Sequence, residues 1–160
     1  ENSISLGQEK VSAKSNEITI VPKLLSAIDL SKTIVTIDAM GCQTAITEKI
    51  IEGKGDYIIA LKANQKHSLN LAKNMISGFA NRERRNIVSR CSTTNEGHGR
   101  HEQRDCIVVS YGNIMQNMFK EKFIGLKSIV GITSKRTIIA TGETTEEARY
   151  YITSFIFCKE

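Results

Sequence analysis

The amino-acid sequence predicts an α/β fold that begins with a parallel βαβ unit and continues with antiparallel strands. The β-branched run Thr33–Ile37 precedes a one-sided apolar pattern over Thr44–Glu52, and the apolar stretch Asp56–Leu61 follows. A strand, a helix of about three turns and a second strand form a right-handed crossover, which places the two strands side by side and parallel. Beyond Asn86 the pattern changes to alternating, glycine-containing segments that are typical of β-ribbons.

The N-terminal half contains signals for further elements. Ile4–Val11 is predicted to be the tail of a strand, and Ser15 or Asn16 then caps a helix whose apolar residues recur at helical spacing. Thr33–Ile37 is β-branched on both sides of its pleat, which is typical of a central strand in a parallel sheet covered by helices. Ser68–Ala80 carries its apolar residues on one side and predicts another amphipathic helix.

The C-terminal half is predicted to form ribbons and two helices. Asn86–Tyr111 has a polar, glycine-rich middle between alternating segments, and Ile114–Phe123 predicts a short helix. A hairpin with a tight connection at residues 134–136 should follow, with strands over Leu126–Thr133 and Thr137–Thr141. A threonine pair before Glu-Glu-Ala, at residues 144 and 145, predicts the cap of a final helix that runs through Tyr150.

The composition indicates one globular domain. A chain of 160 residues has the size of a single domain, and 40% apolar with 24% charged residues is typical of a folded protein. No apolar run approaches the roughly 20 residues of a membrane-spanning helix, and no signal peptide is recognisable, so we expect a cytoplasmic protein without a membrane partner. The four cysteines are far apart in the sequence and include no CxxC pair, which argues for reduced thiols and against a zinc site or a disulfide framework.

The net charge of +5 is concentrated in one arginine-rich stretch. Six of the eight arginines fall there against three glutamates, and they are Arg82, Arg84, Arg85, Arg90, Arg100 and Arg104. Arginine binds phosphate oxygens in a bidentate manner, so this local excess suits a nucleic-acid surface. A merely solvated face would explain the same charge equally well.

Asp38 stands at the end of the first predicted strand, where open α/β sheets place their ligands. From these residues alone it could help to bind a metal or phosphate, or it could simply cap the helix that follows. Lys62, Asn64 and Gln65 follow the second strand, so they should lie at the same sheet edge. They suit contact with a phosphodiester, as they would suit any exposed loop.

The histidines give only a weak signal for a metal site, and known catalytic motifs are not found in the sequence. His98 and His101 lie three residues apart, but glycines flank His98 and no third metal ligand stands at a familiar spacing. A basic turn that contacts phosphate is therefore the better interpretation. The sequence contains no GxSxG, HExxH or P-loop pattern, which leaves acyl transfer and nucleotide hydrolysis unsupported.

Five ordered motifs make the sequence resemble a known family. They are VSAKSNEITIVPKLL, IVTIDAMGCQ, GDYIIALKANQ, EGHGRHEQR and ARYYITS, and together they run from about Lys10 to Ser154. In this order and spacing the chain resembles the DDE transposases of insertion sequences, and most of all their H-repeat-associated branch.

The resemblance implies a ribonuclease H-like core in which three carboxylates hold two Mg²⁺ or Mn²⁺ ions for DNA cleavage and strand transfer at element ends. Asp38 matches the second carboxylate, so it is the expected catalytic and metal-binding residue. The implied partners are DNA, as element ends and as target, and a second copy of the chain in a synaptic complex. The residues expected to bind DNA are Lys62, Asn64, Gln65, Arg100 and Arg104.

The complete prediction is an α/β fold with a partial ribonuclease H-like mixed sheet, flanking helices and a β-rich insertion. Residues 1–81 form the partial core without its first strand, 82–143 the insertion, and 144–160 the truncated start of the final core helix. The family's first aspartate would lie before Ser15 and its glutamate beyond Ser154, and Glu160 is too near that motif to match it. We therefore expect a transposase fragment with one of three carboxylates; the alternative is a non-catalytic DNA-binding or degenerate remnant.

Overall fold

The computed structural model describes residues 17–39, 42–80 and 87–156, which form four α-helices and one six-stranded sheet. Several predictions fall outside the described residues: the strand tail Ile4–Val11, the cap at Ser15 or Asn16, the side chains of Arg82, Arg84 and Arg85, and Glu160.

The first half contains the predicted βαβ unit. Its elements are α1 (Glu17–Ser26), β1 (Ile34–Ile37), α2 (Thr44–Glu52), β2 (Asp56–Leu61) and α3 (Lys66–Phe79). The strands β1 and β2 pair in parallel, with Val35 opposite Tyr57. The crossover inferred from the sequence is therefore confirmed, because one short helix returns the chain to the same end of the sheet.

The second half adds four antiparallel strands and a short helix. Its elements are β3 (Val88–Gly97), β4 (Arg100–Ser110), α4 (Met115–Met118), β5 (Ser128–Ile138) and β6 (Thr144–Thr153). A two-residue turn joins β3 to β4, and its residues His98 and Gly99 have φ values of 50° and 72°. Two positive φ values match the twist of paired strands, so the predicted β-ribbon is confirmed. The predicted helix over Ile114–Phe123 is shorter and follows a 3₁₀ turn at Gly112–Ile114.

The strand order is β1-β2-β6-β5-β4-β3, and only the β1–β2 pair is parallel. This is a mixed sheet with flanking helices, so the predicted α/β class is confirmed. The prediction of a central position for β1 is wrong for the described sheet, where β1 pairs with β2 alone. Ile34 is 56% exposed, since the described helices cover one face of the sheet.

The predicted final helix is wrong, because Thr144–Thr153 is the strand β6. The threonine pair favours a helix cap, but strand pairing opposes it. All ten residues of β6 pair with β5 on one side, and the last four also pair with β2 on the other. The sequence Tyr150-Tyr151-Ile152 is aromatic and β-branched, which favours a pleated surface. Pairing on both sides outweighs a helix cap, whose contribution is about 1 kcal/mol.

The predicted hairpin in the 126–141 region is also wrong. Ser134–Arg136 lies inside the continuous strand β5, and the chain reverses later, where Gly142 has a φ of 70°. The Gly142 amide donates to the Ile138 carbonyl over 2.8 Å and closes that turn. Lysine and arginine are tolerated within β5 because this part of the strand is exposed to solvent.

The hydrophobic core lies between the helices and one face of the sheet. Each of the six strands contributes to it from register-matched positions, and these residues are Val35, Ile37, Tyr57, Ile59, Leu61, Val88, Ile107, Val109, Ile129, Tyr150 and Ile152. The helix α3 packs against β4, β5 and β6, and α1 packs against α2. The contact with α3 is close, since a Cβ on Gly131 would lie 2.9 Å from the Ile76 side chain.

Candidate functional site at the ends of β1 and β2

Two strands end at the sheet edge that carries Asp38, and a third strand passes it. Asp38 follows the last residue of β1, and Lys62 follows the last residue of β2. Because these strands are parallel, their carboxyl ends meet at one edge, as the sequence predicted. Antiparallel β6 places Tyr150 opposite Leu61, so the residues that precede Tyr150 reach the same edge.

A groove of about 410 Å³ opens at this edge. Its lining comes from the ends of β1 and β2 and from the middle of β6, and comprises Ile37, Asp38, Ala60, Leu61, Lys62 and the β6 residues Glu147–Tyr151. Asp38 and Lys62 are exposed side chains, so both charges are accessible to a ligand. The groove thus brings together the predicted carboxylate and one of the predicted cationic contacts.

An ion pair from β6 adds two further charges to the groove. Arg149 donates from Nε and Nη2 to the two carboxylate oxygens of Glu147, over 2.9 Å and 3.0 Å. These hydrogen bonds lower the pKa of Glu147 and raise that of Arg149, and the positive charges of Arg136 and Lys62 lower the pKa of Glu147 further. Glu147 is therefore a carboxylate whose two oxygens already accept hydrogen bonds from an arginine.

Asn64 and Gln65 hold the backbone that follows Asp38. The Asn64 Nδ2 donates to the Ala39 carbonyl over 2.6 Å, and the Gln65 Nε2 donates to the Cys42 carbonyl over 2.7 Å. Their amide donors therefore bind the chain's own backbone and fix the β1–α2 connection to the end of β2. Their contact with DNA stays a prediction.

The alternative role of Asp38 as a helix cap does not match the boundaries of α2. The N-cap residue of α2 is Gln43, five residues beyond Asp38. Cys42, next to that cap, is fully buried, and burial raises the pKa of its thiol to about 12, with a further contribution from the charge of Glu121. The start of α2 is thus anchored in the core, and Asp38 remains at the groove.

The arginines of the ribbon have different surroundings. Arg90 donates from Nη2 to the carbonyls of Phe79 and Ala80, over 2.5 Å and 3.1 Å, and so ties β3 to the end of α3. Arg104 and Arg136 donate to separate oxygens of Glu102, over 2.8 Å and 3.1 Å. Arg100 is exposed at the end of the ribbon.

The sheet register connects the groove to these arginines. Arg104 pairs with Ser134, and Ser134 pairs with Glu147, so the three residues form one row across β4, β5 and β6. With neighbouring strands about 4.8 Å apart, Arg104 lies about 10 Å from Glu147, measured between backbones. Arg100 lies four residues beyond Arg104 on the same side of β4, about 13 Å from Arg104 along the strand.

One known protein family matches almost the whole sequence of the chain. The family model described as the transposase DDE domain matches residues 1–157. The chain belongs to the DDE transposase family. The β1 and β2 ends, the ribbon and β6 all fall within the matched region of this DDE transposase chain.

Curated relatives agree with this assignment. The chain is 38% identical over 159 residues to "Putative transposase YncI" of Escherichia coli O157:H7, covering 96% of this chain and 39% of that protein. It is 38% identical over 156 residues to "H repeat-associated putative transposase YhhI" of Escherichia coli K12, covering 96% of this chain and 40% of that protein. The DDE transposase chain therefore spans about two fifths of the length of these two relatives.

The metal ions that the DDE family implies would need more ligands than the described residues bring together. Across residues 17–39, 42–80 and 87–156, no group of three or more His, Cys, Asp and Glu side chains is arranged to hold a metal ion. Asp38 offers a carboxylate, which is the ligand type that Mg²⁺ prefers. Glu147 is the other carboxylate of the groove, but Arg149 binds both of its oxygens. The described part of this DDE transposase does not complete a two-metal site.

The sequence reasoning missed the contribution of β6 to the groove. Glu147 and Arg149 were placed in a helix, although the ARYYITS motif marked this segment as part of the family pattern. The aromatic and β-branched run Tyr150-Tyr151-Ile152 was the signal that could have placed them in a strand. None of the helices in the described portion has the length and apolar character needed to cross a membrane.

Proposed function

We propose that this chain is part of a DDE transposase that cleaves DNA at element ends and joins it to a target, and that Asp38 is one of its metal-binding carboxylates. The observation that carries the proposal is the position of Asp38 in the groove, beside Lys62 and at the carboxyl end of a parallel strand. In a chain matched over residues 1–157 by the DDE domain, that is where a catalytic carboxylate belongs.

The roles of the groove residues follow from their chemistry. Asp38 would contribute oxygen ligands to a divalent ion, which activates a hydroxyl and stabilises the leaving oxygen when the complete ligand set is present. Lys62 would neutralise a phosphate of the bound strand. Asn64 and Gln65 would maintain the backbone after Asp38 in position through their bonds to Ala39 and Cys42.

The row from Glu147 to Arg104 supports a path for DNA away from the groove. We propose that the backbone of the element end passes from Lys62 towards Arg104 and Arg100. Phosphates in one DNA strand lie a few ångströms apart, so the distances of about 10 Å from Glu147 to Arg104 and about 13 Å from Arg104 to Arg100 each correspond to a few nucleotides. In this arrangement the ribbon supplies affinity and the groove supplies chemistry. A second copy of the chain would hold the other element end.

A cleavage assay tests the catalytic part of the proposal. The purified chain is incubated with duplex DNA that carries the element ends, in Mg²⁺ or Mn²⁺, beside the Asp38→Ala variant. We expect little or no strand transfer by this chain, because a single aspartate cannot fix two metal ions. Robust cleavage that disappears in Asp38→Ala would contradict the claim that the metal-ligand set is incomplete. Robust cleavage that survives the substitution would contradict the proposed role of Asp38.

The alternative is a DNA-binding module without catalysis, and the incomplete set of carboxylates in the described residues favours it. Fluorescence anisotropy with a short duplex separates binding from chemistry. Replacing Arg100 and Arg104 by glutamine should weaken binding and reduce its dependence on salt, whereas Asp38→Ala should leave the affinity in Mg²⁺-free buffer unchanged or slightly increased. A DNA affinity that stays unchanged when both arginines are replaced would contradict the proposed path of the DNA.

A further inference from the structure

The β3–β4 ribbon places two cysteines opposite each other. Cys91 and Cys106 are register partners in this antiparallel pair, although 15 positions separate them in the sequence. Side chains of directly opposite residues project from the same side of the sheet. The distance between these two cysteines in the sequence therefore does not separate them in the fold, since a hairpin joins them.

The spacing of opposite residues is compatible with a covalent bond. Opposite residues in an antiparallel pair have Cα atoms about 4.5 to 5.5 Å apart, which is inside the range of about 4.4 to 6.8 Å for disulfides. Their Cβ atoms are about 4.5 to 5.5 Å apart, whereas a disulfide needs about 3.5 to 4.5 Å. The bond therefore requires an approach of about 1 Å, which leaves it strained and easily reduced.

The two thiols differ in access. Both are free thiols; Cys91 is exposed and Cys106 is half-buried, whereas Cys42 is fully buried. Burial raises the pKa of Cys106, and the neighbouring Cys91 raises it further. A reagent in solution therefore meets Cys91 first, and Cys106 is the thiol positioned to react with the product.

We propose that Cys91 and Cys106 form a reversible redox site, which a low-molecular-weight disulfide such as oxidised glutathione converts to a cross-strand disulfide. The Cys91 thiolate attacks one sulfur of the oxidant, forming a mixed disulfide and releasing one thiol. The Cys106 thiolate then attacks the Cys91 sulfur and displaces the second thiol. Two protein thiols are oxidised, one external disulfide is reduced, and the two protons pass to the two released thiolates.

The bond would act on the part of the molecule that carries the proposed DNA contacts. In the described sheet β3 is an edge strand whose backbone pairs with β4 alone. A covalent link at Cys91 would prevent this edge from separating. Cys106 is two residues from Arg104, so oxidation would also restrain the row that leads to the groove. This site does not depend on the proposed catalysis, because it needs only the ribbon.

The test treats the reduced, folded chain with oxidised glutathione, blocks the remaining thiols by alkylation and maps the tryptic peptides by mass. Trypsin cleaves after Arg90, Arg100 and Arg104, so the two cysteines fall in separate peptides, 91–100 and 105–120. We expect these peptides to be joined, with the loss of two of the four thiols and full reversal by dithiothreitol. A stable glutathione adduct at Cys91, an intermolecular dimer or four unreacted thiols would overturn the proposal.

A control variant moves the thiol by one position. Combining Cys91→Ser with Ser92→Cys keeps the composition but transfers the thiol to the other face of β3. This variant should form no bond to Cys106 and should accumulate the mixed disulfide instead. Equal cross-linking in the variant would show that proximity in a flexible chain, and not the register, drives the reaction. In concentrated urea, oxidation should likewise lose its preference for the Cys91–Cys106 pair and should also involve Cys42.

Discussion

The body of the sheet and its ribbon differ in what holds them together. We define the body as the part covered by helices, and the ribbon as residues 89–106 and 132–149. The strand β5 passes through both: its residues 128–131 are buried, whereas Lys135 and Arg136 are exposed. Apolar burial stabilises the body, and backbone pairing with scattered ion pairs stabilises the ribbon.

This difference shows how one sheet can serve two purposes. In the body, a rigid core fixes the strand ends that carry Asp38 and Lys62. In the ribbon, none of the residues 89–106 and 132–149 is buried, so charged side chains can occupy positions that would otherwise require apolar residues. Local opening should therefore begin in the ribbon, where few apolar contacts oppose it. Five sets of substitutions test this contrast and the site that depends on it.

The largest effect is expected for Phe123→Ala in the body. Phe123 is fully buried and makes an edge contact with Phe119 at 6.1 Å between ring centroids. Its removal should cost about 3 to 5 kcal/mol of unfolding free energy in urea denaturation. Ile139→Ala near the end of the ribbon, where the side chain is 55% exposed, should change stability by less than about 0.5 kcal/mol. Similar losses in both variants would remove the distinction between body and ribbon.

A matched pair of glycines gives the next largest contrast. In Gly131→Ala the new Cβ would lie 2.9 Å from Ile76 Cγ2, so the Ile76 side chain or α3 must shift, at a cost of about 1 to 3 kcal/mol. In Gly97→Ala the new Cβ has no neighbour within 4 Å. Because alanine lowers the conformational entropy of the unfolded chain, the folded protein should be stabilised by up to about 1 kcal/mol. Thermal unfolding of the two variants should shift in opposite directions. A shift in the same direction would contradict the packing argument.

Asn64→Ala tests the support of the groove. It removes the 2.6 Å bond to the Ala39 carbonyl and should cost about 1 to 2 kcal/mol in urea denaturation. Faster hydrogen exchange at the start of α2 should accompany the loss. Asn74→Ala, an exposed position on α3, is the control and should be neutral or slightly stabilising. Unchanged exchange in Asn64→Ala would mean that the bond does not restrain the connection after Asp38.

Glu102→Gln tests the ion pairs of the ribbon. Its carboxylate accepts from both Arg104 and Arg136, and their side chains are about half exposed, so the stability loss should stay near 0.2 to 1 kcal/mol. DNA affinity should rise, because two arginines lose a competing carboxylate. Anisotropy titrations at several salt concentrations measure this gain, with Glu96→Gln as a control elsewhere on the ribbon. A weaker affinity in Glu102→Gln would contradict the proposed path of the DNA.

The smallest effect concerns the stability of the protein at acid pH. Arg149 lowers the pKa of Glu147 below its ordinary value of 4.5, so the stabilisation from this pair is complete above that pH and is lost as the pH falls through the lowered value. In Arg149→Gln the pKa of Glu147 should rise towards its ordinary value, as NMR titration of the carboxyl carbon would show. The shift should shrink in high salt, since both side chains are exposed. An unchanged pKa would mean that the pair does not persist in solution.

Local patterns predicted the βαβ unit because its signals are short-range. The spacing of apolar residues specifies α2 and α3, and β-branched runs specify β1 and β2. The strand β6 was mistaken because a helix cap and an exposed strand share the same polar residues. Its strand conformation depends on pairing with β5 and β2. The strand β2 is distant in the sequence, and the pairing with β5 is recognised only once the strand register is known.

The candidate site divides in the same way. The sequence by itself determined that Asp38 and Lys62 end adjacent parallel strands, since crossover handedness and strand polarity follow from chain order. Only the tertiary structure decided that Glu147 and Arg149 complete the groove and that Arg104 lies in a row with them. It also decided that Cys91 faces Cys106. These facts depend on strand register, which arises from contacts between distant segments and leaves no periodic signal in the chain.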